Sequence, residues 1–254
     1  MRDAATVVLH RPGRAGREVF FVRRPQQARA FAGVWAFPGG SVDAADRSPL
    51  WRELAPSGWP SWPQEAKTVE NGRWEISQER FLAWWPEPFA VDQTPAAAGQ
   101  DDLWPAIDPD PASHLAVRVA AIRELFEEVG VLLWDAPGLS LPAGNWREAV
   151  GAQARRFITL FARYGARPAW PGLRYLGRLT TPPGPPARFQ ARFFQAQLPP
   201  GQTPSIALQG GEIAEGRWMT PDAALEQAEG GRFPLVMPTR YVLGRLLQCP
   251  DALA

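Results

Sequence analysis

The segment from Asp110 to Gly130 constrains this chain most, because it has one good local solution, a helix with a single apolar stripe. Asp110 is a suitable N-cap, Pro111 has the fixed φ that suits a first helical position, and Gly130 supplies a stop. At about 100° per residue, Leu115, Val119, Ile122, Phe126 and Val129 fall within one narrow stripe. Glu124, Glu127 and Glu128 cluster on the opposite side, an arrangement compatible with a solvated acidic face. Two details make that reading uncomfortable. Glu124 precedes Glu127 and Glu128 by three and four positions, so like charges face each other at roughly 0.2–0.5 kcal/mol per pair. Glu127 and Glu128 also occupy the last turn, where the helix dipole disfavours negative charge by about 0.3–1 kcal/mol. Local rules broken without evident compensation tend to mark function. A bound cation compensates directly, and three carboxylates are hard oxygen ligands that suit Mg²⁺ or Mn²⁺ better than zinc. Metal binding and a solvated face both remain open on spacing alone.

The flanking sequence reads as an α+β fold, a mixed sheet flanked by helices. Ala4–His10 and Glu18–Arg23 are strand-like runs, followed by Val34–Phe37 and the turn Pro38-Gly39-Gly40. Beyond Gly130, strands are expected at Val131–Trp134, Leu173–Leu179, Arg188–Gln197 and Arg217–Met219. Helices are expected at about Trp146–Tyr164 closed by Gly165, at Pro221–Glu229 and at Pro238–Gln248. From about Ala44 to Pro109 the composition shifts, with many of the 28 prolines and seven of the twelve tryptophans. It has one helix candidate, around Trp74–Trp85, and reads as an insertion in a single domain spanning 1–254 rather than as a second domain.

Charge narrows the partners. With 27 basic and 26 acidic side chains the net charge is +1, and no basic stripe is visible, which argues against nucleic acid. A small phosphorylated ligand needs only a few local arginines. No stretch approaches the ~20 apolar residues of a membrane span, and Met1–Arg14 lacks a signal-peptide pattern. The single cysteine, Cys249, makes no internal disulfide and no zinc pattern, so a reducing cytoplasm is expected.

Three stretches carry a family resemblance. Gly40, a carboxylate at Asp46, and the run Arg123-Glu124-Leu125-Phe126-Glu127-Glu128-Val129-Gly130-Val131 resemble the Nudix box. The helical half matches at every specified position. The glycine half is displaced, with 82 residues between Gly40 and Arg123 in place of the short spacer of an ordinary box. A box split in this way is similar to the coenzyme A diphosphatase branch of the Nudix hydrolases. The stretches Phe37–Asp46, Thr181-Pro182 with Arg188–Phe194, Glu215–Trp218 and Leu235–Leu247 are also similar to that branch.

The resemblance implies a Nudix α/β/α sandwich with a mixed sheet and a Trp/Pro-rich insertion. It implies Glu124, Glu127 and Glu128 as ligands of Mg²⁺ or Mn²⁺, with the Gly40 carbonyl completing the site, and Arg123 orienting a box glutamate through an ion pair. Asp46 stands where the usual box has the longer glutamate and receives no catalytic role. Glu127, Glu128 or an outside residue, Glu212 or Glu215, would take a proton from the attacking water; as their alternative, the outside pair are loop or strand-end solvent residues. Arg188 and Arg192, alternating with Phe189 and Phe193, either hold the 3′-phosphate of coenzyme A or decorate an exposed strand face. Arg23 and Arg24 carry the same two readings. The tryptophans of the insertion form either a lid over an adenine or a satellite core or dimer contact, so a homodimer stays open. His10 and His114 show no catalytic partner pattern and read as structural. The expected activity is cleavage of the diphosphate of coenzyme A or acyl-coenzyme A. The alternatives are the same chemistry on ADP-ribose, NADH or dinucleotide polyphosphates, and a catalytically silent nucleotide-binding module.

Overall fold

The computed structural model describes residues 2–28, 31–55, 111–135, 145–181, 188–206 and 212–248. The N-terminal run forms β1 (Arg2–Gly13), longer than its apolar centre, and turns into β2 (Gly16–Arg23). Two short strands follow, β3 (Trp35–Ala36) and β4 (Gly39–Ser41). The long helix, α1, spans Pro111–Val129; its expected N-cap, Asp110, lies outside the described residues. Then come β5 (Trp134–Asp135), α2 (Trp146–Ala152), α3 (Arg156–Tyr164), β6 (Arg167–Pro168), β7 (Arg174–Thr180), β8 (Phe189–Gln197), β9 (Glu215–Met219), α4 (Pro221–Glu229) and α5 (Met237–Gln248).

The main sheet is mixed. Its path runs β3-β2-β1-β8-β7, with β4 on β1 and β9 on β2. β1 and β8 are parallel, and the remaining pairs are antiparallel. β1 therefore sits between β8 on one side and β4 and β2 on the other, which brings the Gly39-Gly40 turn to the centre of the sheet. Alternation along β1 splits the core in two. Ala5, Val7 and Leu9 face a cluster with Leu125, Phe126, Phe157 and Phe161, while Val8 faces one with Phe21, Phe193, Phe233 and Leu243. Helices α1–α3 cover the first face and α4–α5 the second, which is the expected α/β/α sandwich.

Three expectations are corrected. Val131, Leu132 and Leu133 are buried but are not a strand; the Leu132 backbone is satisfied by the Gln202 side chain at 2.9 and 2.8 Å, and pairing begins only at Trp134. The helix expected over Trp146–Tyr164 breaks at Gln153, which is extended (φ −151°, ψ 101°), into α2 and α3. Gly165 ends α3 as expected, in the left-handed region at φ 59°. The tip expected as Val34–Phe37 pairs only at Trp35–Ala36.

The first residues of the expected insertion are built into the fold. Residues 44–55 form two 3₁₀ turns, and Trp51 is buried against Phe157 and Phe161 with its Nε1 donating to the Ala45 carbonyl at 3.0 Å. The rest of it, including the helix candidate at Trp74–Trp85 and six tryptophans, lies outside the described residues, as does Cys249.

Candidate active site

The acidic face of α1 is not solvated. From Leu115 to Arg123 every side chain of α1 is buried, and Glu124 and Glu127 keep side-chain exposures of only 13% and 18%. The helix is enclosed on nearly all sides, so its glutamates were placed there at a cost in desolvation. That removes the solvated-face reading.

What closes over them is the glycine half of the box. Asp43 and Asp46 form a capping box on the 3₁₀ turn Ala44–Arg47, which aims the Asp46 carboxylate inward. There it takes two hydrogen bonds from Arg123, Nε at 2.9 Å and Nη2 at 2.8 Å, with both partners buried. The same guanidinium donates to the Ser41 carbonyl at 2.9 Å, to Glu124 at 3.0 Å and to Glu127 at 3.1 Å. Glu128 accepts from the Gly39 amide at 2.8 Å. Gly39 lies at φ +149°, and a Cβ there would strike the Ala5 carbonyl oxygen. Gly40 has a different reason to be glycine: a Cβ would come within 2.5 Å of the Glu124 carboxyl carbon.

The electrostatics follow from this crowding. Burial pushes the Glu124 carboxyl up to about 7, against the pull of Arg123 and with a push from Glu127. Burial also raises Glu127, and it raises Glu128 well above the usual carboxylate range, helped by Glu124. Arg123 is held firmly charged by Asp46 and the two nearer glutamates. Asp46, Glu124 and Glu127 thus share the Arg123 guanidinium while Glu128 has only the Gly39 amide among the described residues, an excess of negative charge that a divalent cation fits. The donors are hard oxygens on a rigid helix, the set that suits Mg²⁺ or Mn²⁺. Arg123 draws Glu124 and Glu127 one way and Gly39 holds Glu128 another, so among the described residues no three His, Cys, Asp or Glu side chains close on one point.

The other candidates separate. Glu212 is exposed, and its charge acts on both Glu127 and Glu128. Glu215 is engaged elsewhere, by Arg23 at 3.0 Å and Arg217 at 2.6 Å. Arg23 also lies over Trp35, while the charge of Arg24 acts on Glu128. Arg192 is buried and donates to Asp3 at 3.0 Å, opposite Ala5, which in turn pairs with Gly40. Arg188 is half-buried, with Nε on the Thr181 carbonyl at 3.1 Å. His10 is buried in the sheet beside Arg17. An open-sided cavity of about 570 Å³ adjoins Arg123 and Glu127, walled also by Asp43, Val150, Gln153 and Arg155.

Two site residues escape sequence reasoning. Asp46 as the Arg123 partner was foreshadowed only by the Asp43/Asp46 spacing. Arg147, from α2, donates Nε to the Glu127 carbonyl at 2.8 Å and Nη2 to the Glu128 carbonyl, and nothing in its neighbourhood in the sequence signals this.

Comparison with known proteins gives the family. Residues 1–246 match the family model described as the NUDT19 Nudix domain. The chain is similar to the acyl-coenzyme A diphosphatase NUDT19 of Gallus gallus, 29% identical over 96% of this chain and 68% of that protein. The protein of that name from Homo sapiens is likewise 29% identical, over 96% of this chain and 64% of its own length. The chain therefore spans about two thirds of each of these relatives. Among solved structures, a Nudix hydrolase from Alicyclobacillus acidocaldarius superposes with a TM-score of 0.68 at 25% identity, covering 98% of this chain and 92% of that one.

Proposed function

Since the chain belongs to the NUDT19 Nudix domain family of Nudix hydrolases, we propose that it cleaves the diphosphate of a nucleoside diphosphate linked to another moiety, with coenzyme A or an acyl-coenzyme A as substrate. The observation that carries the chemistry is the closure of the split box, in which Gly39, Gly40 and Asp46 meet Glu128, Glu124 and Arg123 across the chain. The substrate class rests on the relatives named acyl-coenzyme A diphosphatase.

In this reading Glu124, Glu127 and Glu128, with the Gly40 carbonyl, would hold Mg²⁺ or Mn²⁺. The ion supplies charge neutralisation on the diphosphate oxygens and an activated water. Arg123 keeps Glu124 and Glu127 oriented, itself fixed by Asp46. Glu212 accepts the proton of the attacking water, a role for which it is better placed than Glu215, already held by two arginines. Water adds to phosphorus, the bridging P–O bond breaks, and two phosphomonoesters leave, an adenosine bisphosphate and a phosphopantetheine. Of the two candidate arginines, Arg188 is the proposed cation for the 3′-phosphate, since Arg192 is buried and held by Asp3. No described helix is long and apolar enough to cross a membrane, and a cytoplasmic site of action is part of the proposal.

The test is a Mg²⁺-dependent hydrolysis panel of coenzyme A, ADP-ribose, NADH and diadenosine polyphosphates, with a Glu127→Gln, Glu128→Gln double variant as control. Coenzyme A should be cut best and the double variant should be inactive. Preference for another conjugate rejects the substrate and keeps the chemistry. Nucleotide binding without turnover rejects both.

A further inference from the structure

We propose that Arg147 is a positioning residue for the two glutamates in the last turn of α1; this rests on the reading that Glu127 and Glu128 hold a divalent cation. The last four carbonyls of any helix lack an intrahelical partner. In α1 these belong to Phe126, Glu127, Glu128 and Val129. The Phe126 carbonyl accepts from the Gly130 amide at 2.9 Å and the Val129 carbonyl from the Ser205 amide at 2.9 Å. The two between them are taken by one side chain: Arg147 donates Nε to Glu127 at 2.8 Å and Nη2 to Glu128, while its Nη1 reaches Ser205 Oγ at 3.2 Å.

This is more than a stop signal. Gly130, at φ 69°, already ends the helix. Arg147 grips the peptide groups of the two residues whose carboxylates are at issue, so it fixes where their Cα–Cβ bonds point. A last helical turn otherwise frays, and fraying here would carry both carboxylates with it. The choice of arginine fits that task, because its planar fork spans two adjacent carbonyls and a third acceptor, which the point charge of lysine does not. Its charge also lies at the negative end of the helix dipole and acts with that of Glu128, where α1 itself has no basic residue in its last turn. The cation missing from the helix is thus supplied from α2, whose packing on α1 delivers it.

The experiment compares wild type with Arg147→Met, Arg147→Lys, Ser205→Ala and the Glu127→Gln, Glu128→Gln double variant. Each is assayed for Mn²⁺ binding without substrate by electron paramagnetic resonance of free Mn²⁺, for thermal midpoint, and for kcat and KM on coenzyme A. Outer partners of metal ligands are typically worth tenfold or more in affinity, so Arg147→Met should weaken Mn²⁺ binding about tenfold and lower kcat similarly, with KM changed by less than about twofold. Arg147→Lys should recover the thermal midpoint more fully than the Mn²⁺ affinity. An Arg147→Met protein that melts earlier but binds Mn²⁺ and turns over like wild type makes Arg147 a helix cap and overturns the proposal. Should Arg147→Met fail to fold, Arg147→Lys and Ser205→Ala carry the same comparison, and unaltered Mn²⁺ affinity and kcat in both overturn it. If the double glutamate variant loses Mn²⁺ while the Arg147 variants keep it, only the positioning role falls. If that double variant binds Mn²⁺ like wild type, the underlying metal assignment falls.

Discussion

Arg123 and Asp46, 77 positions apart in the chain, face each other through two hydrogen bonds of 2.9 and 2.8 Å with both side chains buried. Breaking a buried pair by removing one partner leaves the other uncompensated, at about 3–5 kcal/mol. Asp46→Asn should fall at the low end, near 3 kcal/mol, because Arg123 keeps Glu124 and Glu127. Arg123→Met should cost more, since it strands several carboxylates at once. Urea denaturation midpoints of the two variants rank these; equal and negligible shifts would show the pair to be dispensable.

The two glycines of the turn should fail differently. Gly39→Ala meets the Ala5 carbonyl in a backbone conformation hostile to a side chain, so it should lose roughly 1–3 kcal/mol of stability. Gly40→Ala meets a movable carboxylate, that of Glu124. Its thermal midpoint should change little while turnover drops about tenfold through displacement of one proposed ligand. Thermal melts paired with kcat separate the two, and an active Gly40→Ala enzyme rejects a role for Glu124 at that position.

His10 gives a pH signature. Burial, with Arg17 and Arg174 nearby, lowers its pKa from 6.5 to about 4 in the fold. The unfolded chain therefore binds the proton first, so this residue costs no stability above pH 6.5 and costs progressively more as pH falls to 4, on the order of 3 kcal/mol. Glu124 works the other way. Raised to about 7 from 4.5, it is a burden at high pH that protonation relieves between 7 and 4.5. Wild type reports the sum, so the prediction concerns a difference: His10→Asn should lose less stability than wild type between pH 6.5 and 4.5 in urea titrations. Parallel curves would refute the assignment.

Arg188 and Arg192 should also part company. Arg192 is spent on Asp3 inside the sheet, so Arg192→Met should act on stability, by about 2–3 kcal/mol. Arg188 is half-buried just before β8. Loss of a charge-assisted contact there should raise KM for coenzyme A about tenfold and leave 3′-dephospho-coenzyme A unaffected. An equal effect on both substrates removes the 3′-phosphate from the account.

Much of the scaffold was legible because it rests on short-range physics. Alternation in β1 and β2, the stripe of α1 and the stops at Gly130 and Gly165 all follow from residues within a turn or two of one another. The metal proposal draws on the same short range: Glu124, Glu127 and Glu128 violate rules that operate inside one helix. What escaped depends on packing between distant segments. The stripe foretells one buried face, but α1 is buried nearly all round because α2, α3 and the 3₁₀ turns wrap it. Val131–Leu133 has strand composition, yet Gln202 takes its hydrogen bonds. The break at Gln153 has no proline to announce it, and the cap by Arg147 exists only once α2 has docked.

The two halves of the box are joined by Arg123 and Asp46 rather than by the length of chain between them, and Trp51 and Leu54 anchor the near side, the Leu54 carbonyl accepting from Trp170 at 2.9 Å. Once both ends of a loop are fastened, doubling its length adds only about 0.6 kcal/mol of closure entropy. The position after Ala55 is therefore an interchangeable port. Segments of very different length can be spliced in there at little entropic cost while the carboxylates below keep their geometry.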